Sequence, residues 1–411
     1  MSVVLPKRYL YQFLFALCIA VPMWNNYELT FAVWSIAVLA TVQQHYSYQI
    51  LKYASCFIAI MAIAFIVMLT RDYPTYYIIR DITYLIKPIF GTFIGYQLCK
   101  HNFKKAFETI VVAGVIIACI HLITIVYAMI FRGAVDVNTI RLRSGFFSDF
   151  EVYAVVILLF HKKFELDFSR KRIFWFTVLV GVSSLMYMAR TNFIQFAILA
   201  IAMKGYFKIN KTSIIVVTTL ILTVILGYSA ILYVNPKRNG PGIETLLYKI
   251  KIAPQEAFKT KINAEDWRDF NDNYRSYENI HTVKQMVGQG MPTVIFGAGM
   301  GSRIDLKREV WLGDMMLRYI SILHNGFMTI FLKSGLLGIF FYLCSIFLMF
   351  KQRRASIPIV TNINLLLVGT GIFLIFSNWV FMGVYNLLDN KSVLIGFLIC
   401  YIEMVIKKEE S

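Results

Sequence analysis

Apolar residues in this chain come in runs long enough to cross roughly 30 Å of hydrocarbon as helices, which takes about 20 residues each. Twelve such runs, near 9–23, 28–44, 53–70, 77–99, 106–131, 146–161, 173–189, 191–205, 212–233, 324–350, 359–384 and 388–406, predict an all-α polytopic membrane protein. The polar segments between them are short, with one exception. Residues 234–318 are too long for a passive connection and have the content of a small folded unit. The chain therefore divides into helices 1–9 (1–233), a loop subdomain (234–318) and helices 10–12 (319–411). Within the loop, a turn cluster NPKRNGPG precedes two stretches with helical potential, around 243–260 and 275–289, and a glycine-rich piece, FGAGMGS. No internal repeat is visible, and no pair of broken helices of the kind that marks many transporters.

Composition strengthens this reading. The 411 residues are 58% hydrophobic and only 16% charged, with mean hydropathy +0.64, and a soluble domain of this length could not cover so much apolar surface. The net charge of +18 does not point to nucleic acid, because it is concentrated in short loops rather than on a polar, foldable segment. Alternate loops separate by charge. One side carries nineteen basic residues: Lys7, Arg8, Lys52, Lys100, Lys104, Lys105, Lys162, Lys163, Arg170, Lys171, Arg172, Lys204, Lys208, Lys211, Lys351, Arg353, Arg354, Lys407 and Lys408. The short loops of the other side carry six: Arg71, Arg132, Arg141, Arg143, Arg190 and Lys391. Basic loops stay inside, so both termini are expected in the cytoplasm and residues 234–318 outside. The leading MSVVLPKR runs into the first span with no cleavage-site pattern and reads as a retained helix. Six scattered cysteines in or beside apolar runs, without a C-x-x-C pair, support neither a disulfide framework nor a metal site.

Ionisable groups within spans are costly and often functional. Arg80, Tyr84 and Lys87 fall on one helix face; either they form a basic stripe for an anionic group, or Arg80 pairs with Asp81 while Lys87 snorkels. Arg190, in the tight turn MARTNF, is an interfacial anchor or a ligand for the same anion. Arg141 and Arg143 precede a Gly-Phe-Phe turn and could clamp a phosphate or a sugar, the plainer reading being a helix start capped by Ser148 or Asp149. FGAGMGS looks like a phosphate cradle, but no strand-to-helix context accompanies it, so close backbone packing at Gly297, Gly299 and Gly301 is the better account. His324 begins the tenth span at the end of the loop, where a histidine can act as a general base or be a polar anchor.

The string after it changes the weighting. His324-Asn325, nine residues, then Gly335-Leu-Leu-Gly338 gives H-N-x9-G-x-x-G, which resembles the motif of the bacterial O-antigen polymerase and ligase family. Other features agree with that resemblance: the large loop before the motif, Arg190 before the eighth span, Arg275 opening a helical stretch that leads to Gly297–Gly301, and a looser R-x-x-G-x-F at Arg141–Phe147. Arg268, in DWRDF, competes with Arg275 for the loop position. The resemblance implies a GT-C-like architecture in a bacterial inner membrane and inverting, metal-independent glycosyl transfer at the periplasmic face, with no cofactor. Donor and acceptor would be oligosaccharides on undecaprenyl pyrophosphate, within a lipid surround and with room for a chain-length regulator. It assigns His324 as base and Arg190 and Arg275 to the pyrophosphate, with Arg80, Lys87, Arg141, Arg143, Arg268 and Asn325 around the substrate. Polymerase is preferred to ligase on the H-N-G-F and L-K-S-G-L-L-G strings. A lipid-linked oligosaccharide transporter is the competing class, disfavoured by sparse intramembrane charge and the large loop.

Overall fold

The computed structural model describes residues 7–410 except 135–138, 141–142, 144–147, 209, 239, 241–242, 313–314 and 354–355. The chain is 76% helical. Each of the twelve predicted runs contains a helix: α1 (Lys7–Ala20), α2 (Tyr27–Ala40), α3 (Tyr48–Met68), α4 (Thr75–Asn102), α5 (Ala106–Phe131), α6 (Phe150–Leu159), α7 (Arg170–Met186), α8 (Arg190–Met203) and α9 (Lys211–Val234), followed beyond the loop by three more. Among the described residues, five helical stretches are long and apolar enough to cross a membrane: Tyr48–Met68, Thr75–Phe131 (α4 and α5 joined through a short 3-10 turn), Lys211–Val234, Gly326–Met349 and Pro358–Phe381. Others are short. The 10 residues of α6 rise only about 15 Å.

The loop folds into a cap on one end of the bundle. It contains α10 (Glu244–Phe258), α11 (Trp267–Asp272), α12 (Tyr274–Gly288), α13 (Met291–Phe296) and an antiparallel hairpin, β1 (Ile304–Leu312) with β2 (Met315–Ile320). The hairpin is the exception in a chain that is otherwise helical, as the all-α expectation had it. Alternation of buried and half-buried positions starts at Ile304, Asp305 and Leu306, but the register shifts between Asp305 and Val310, with Lys307 at φ 60°. That irregularity erases the period-2 pattern by which a strand is read. The cap has its own apolar core, including Phe270, Tyr277, Met286, Ile304 and Leu306, which continues into Phe331 and Leu332 of the next helix, α14 (Gly326–Met349). Two helices complete the bundle, α15 (Pro358–Phe381) and α16 (Lys391–Glu410). The latter packs along α4, and Gly95 and Gly396 allow the approach: a Cβ on either would fall 1.9 and 2.0 Å from the carbonyl oxygens of Val393 and Thr92. Small residues at crossing points are how helices pack where lipid removes the hydrophobic drive.

The glycine-rich piece locks cap to bundle. After α13 the chain crosses α14 as an irregular glycine-rich segment, where Ala298 and Gly299 donate backbone N–H bonds to the carbonyls of Leu332 (2.8 Å) and Lys333 (3.1 Å), and Met300 to Ala64 of α3 (3.0 Å). Those α14 carbonyls are free because the helix breaks at Gly335, φ 64° and ψ −161°; the crossing segment supplies the partners that orphaned groups need. Gly297, Gly299 and Gly301 all have φ between 85° and 87°, and a Cβ on any of them would strike Ser334, Met68 or Tyr73. A Cβ on Gly335 would lie 2.3 Å from the Ile295 carbonyl oxygen, and Gly338 faces the Ser334 hydroxyl. Gly297, Gly299 and Gly335 thus pack backbone against backbone, whereas Gly301 and Gly338 meet side chains.

Below this crossing lies a buried ion pair. Lys333 Nζ is 2.6 Å from Asp81 Oδ2, both side chains 1% exposed, and Asp81 also accepts from Gly301 N at 2.7 Å. Asp81 therefore does not pair with Arg80, as one sequence reading had it, and Lys87 does not snorkel. Its ammonium is buried and donates to the carbonyls of Asn386 and Leu387, each at 2.5 Å.

Candidate functional site

Arg190 is the first residue of α8. A cation there opposes the helix dipole, which favours negative charge at the N-terminus, so local preference does not explain it. The cap supplies the partner: Arg190 Nη1 donates to the Lys249 carbonyl (2.6 Å) and Nη2 lies 3.4 Å from Glu256 Oε2, both acceptors on α10. The other oxygen of the same carboxylate takes Arg275, Nη1 to Oε1 3.1 Å. Arg275 sits in the first turn of α12, which is tied to α10 by Ser276 Oγ donating to the Glu256 carbonyl at 3.0 Å. Two arginines distant in sequence thus share one carboxylate, an arrangement an anion with several oxygens could take over.

These three residues line one end of a cavity of about 750 Å³, within the size range of small-molecule sites. The remaining wall is almost wholly apolar: Ile194 and Ile198 of α8, Ile372, Ile375, Phe376, Trp379 and Val380 of α15, Pro254 and Phe258 of α10, and Phe327 of α14. Ile198 lies eight residues below Arg190, so the groove runs about 12 Å along the helices from the charged end.

His324 is not in the cavity lining; it lies on the segment entering α14, three residues before the lining residue Phe327. Its Nδ1 is 2.9 Å from Glu278 Oε1, and its backbone N donates to Glu278 Oε2 at 3.0 Å. Glu278 is 1% exposed whereas the imidazole is 46% exposed. An accepting carboxylate at Nδ1 places the ring proton there and leaves the Nε2 lone pair outward. Tyr274 stands edge-on to the imidazole, centroids 5.7 Å apart; burial and the Glu278 carboxylate push its phenol well above the usual range. Glu278 follows Arg275 by three residues on α12, one face of a helix, and its neighbour Asn279 lines the cavity. Asn325 is fully buried and caps α14, Oδ1 accepting from Met328 N at 3.3 Å, which is a positioning role. Elsewhere in the cap, hydrogen bonds from Lys259 hold Asp269 below the ordinary carboxylate range, and those from Arg318 do the same for Asp305.

The other predicted residues are placed apart from this cavity. Arg80 and Lys87 line a second, smaller one of about 170 Å³. Arg268 is exposed on α11 and lines neither cavity. Arg143 is exposed near Gly133, and Arg141 lies outside the described residues. At the start of α6, Asp149 makes no side-chain cap and pairs with Lys391, while Ser148 Oγ accepts from Phe150 N. Sequence reading missed Glu256 and Glu278. Both lie among ten acidic residues of a mixed-charge loop, and only the i, i+3 spacing of Arg275 and Glu278 hinted at a shared face. No known family model matches the chain, and no characterised protein matches it.

Proposed function

We propose that the protein is an inverting glycosyltransferase of a bacterial inner membrane that polymerises oligosaccharide repeat units carried on undecaprenyl pyrophosphate, at the periplasmic face. In this reading the twelve helical runs are membrane spans, both termini are cytoplasmic and the cap is periplasmic. The observation that carries the proposal is the apolar groove headed by Arg190 and Arg275, with His324 held by Glu278 on the same helix as Arg275. An amphiphile with a diphosphate head and a long hydrocarbon chain fits that distribution of charge and apolar wall. The H-N-x9-G-x-x-G resemblance points the same way.

The chemistry follows from these roles. The donor diphosphate displaces the Glu256 carboxylate from the two guanidiniums, which stay charged at any working pH and meet phosphate oxygens in a planar fork. An acceptor sugar hydroxyl gives its proton to His324 Nε2 as its oxygen bonds to the donor anomeric carbon. The bond from that carbon to the diphosphate oxygen breaks on the opposite face, inverting configuration, and the arginines stabilise the charge that develops on the leaving group.

The test is transfer in lipid nanodiscs with a polyprenyl-pyrophosphate-linked oligosaccharide, products being resolved as a ladder. Wild type should give multiples of the repeat unit. His324→Ala should give none while inserting to the same level, and Arg190→Lys, which keeps charge but loses the fork, should fall sharply. A normal ladder from His324→Ala removes the base assignment. Transfer to lipid A-core alone, without a ladder, makes the protein a ligase.

A further inference from the structure

The second cavity lies across the His324 segment from the first. Ile322 lines the 170 Å³ cavity and Phe327 the large one, so residues 322–327 form part of the wall between them; on α15 and just beyond it, Trp379 and Val380 face one cavity and Met382 the other. The smaller cavity lies among α2, α4 and the segment after α15. Its wall is aromatic, with Phe31, Trp34, Tyr84 and Phe90, and reaches from Tyr27 to Trp34 on α2, about 10 Å along that helix.

Its charge comes from Lys87, whose ammonium is taken up by two carbonyls, and from Arg80. Arg80 lines it, and the Arg80 guanidinium lies 5.2 Å from the Tyr77 ring, which Arg303 of the cap approaches at 4.1 Å. Among the described residues neither arginine forms an ion pair, and Arg80 Nε is buried without a hydrogen-bond partner. Asp81, the carboxylate beside Arg80 in sequence, is committed to Lys333 and Gly301. Arg80 in the lining and Arg303 across Tyr77 from it, neither held by a carboxylate, offer phosphate oxygens two guanidiniums, and the aromatic recess beside Arg80 takes hydrocarbon.

We infer that this cavity is a second binding site for a phosphate-bearing lipid, the phosphate on Arg80 and Arg303 and the chain in the recess, so that two lipid-anchored substrates flank His324. As the acceptor's site it rests on the polymerase reading; as a lipid site it does not. The two fail separately. Native mass spectrometry of the purified protein with saturating C55 polyprenyl pyrophosphate should count two lipids on wild type and one on the Arg190→Ala/Arg275→Ala variant. The Arg80→Gln/Arg303→Gln variant should also bind one, its second-lipid affinity down at least about tenfold, the worth of lost charge-assisted hydrogen bonds. Phe31→Trp, which fills the recess and leaves the arginines in place, should likewise drop the count to one, guarding against misfolding of the arginine variant. One lipid on wild type, or two on both the Arg80→Gln/Arg303→Gln and Phe31→Trp proteins, overturns the site. If inorganic pyrophosphate at equal concentration displaces the second lipid, the site reads free phosphate and the lipid assignment is wrong. A protein that binds two lipids but transfers no sugar would keep this inference and sink the proposed function.

Discussion

At the scale of single residues, the pairing of His324 with Glu278 is the most consequential geometry in the cap. The carboxylate holds both the ring, through Nδ1, and the backbone N–H of the same residue, so it fixes position and tautomer together. Glu278→Gln is near in size but offers Nδ1 an amide that can donate as well as accept. The ring can then place its proton on Nε2, where the base function is needed. General-base catalysis is worth roughly 10²–10⁴ in rate, so kcat should fall by about a hundredfold with KM little changed, and Glu278→Asp should restore part of it. Transfer kinetics at a series of pH values check this; an unaltered rate and pH profile for Glu278→Gln would reduce Glu278 to a structural contact. The residues with a motif or an awkward location, His324, Arg190 and Arg275, were legible in the sequence because each stands at the edge of an apolar run or heads a helical stretch. Glu256 and Glu278 were not, since a carboxylate in a polar loop looks solvated until the fold brings an arginine or a histidine to it.

At the scale of elements, the joint between cap and bundle depends on the crossing of the Gly297–Gly301 segment over the break in α14. The Lys333–Asp81 pair beneath it is a liability as well as a tie. Breaking a buried pair by removing one partner costs roughly 3–5 kcal/mol, because a charge is left without compensation, whereas replacing both by apolar groups is often close to neutral. Asp81→Leu and Lys333→Met alone should each lower the thermal midpoint of the detergent-solubilised protein markedly, and the double variant should recover much of the loss. Additive losses in the double variant would show that each residue acts through other contacts. This element also marks where sequence reading stops. The nine residues between Asn325 and Gly335 read as an uninterrupted apolar span with one lysine, and nothing local says that the helix opens after Ser334 to hand its carbonyls to another segment. The helices themselves were legible, since twelve apolar runs became twelve helices. The hairpin was not, because the irregularity at Lys307 removes the alternation that marks a strand.

At the scale of the whole molecule, the open question is which face of the membrane the cap occupies, and the charge count makes a definite prediction. Nineteen basic residues on one set of loops against six on the other predict a cap on the outer face. That orientation matters to the mechanism, because the cavity headed by Arg190 and Arg275 opens at the cap end of the bundle. The protein suits a cysteine test: among its six native cysteines, Cys18, Cys56, Cys99 and Cys400 are buried and Cys119 and Cys344 only partly exposed. New cysteines at exposed Lys261 and Trp267 of the cap should react with a membrane-impermeant maleimide on intact spheroplasts. Cysteines at Lys104 and Lys351, exposed in loops of the opposite set, should react only after the membrane is opened. Helix α9 supplies an internal control. None of its apolar window is buried against the rest of the protein, which in a bilayer means contact with lipid, so a cysteine at Ile221 should resist the aqueous reagent on both sides. Labelling of Lys104→Cys before Lys261→Cys would invert the topology and put the arginine pair in the cytoplasm, where a periplasmic polymerisation could not use it.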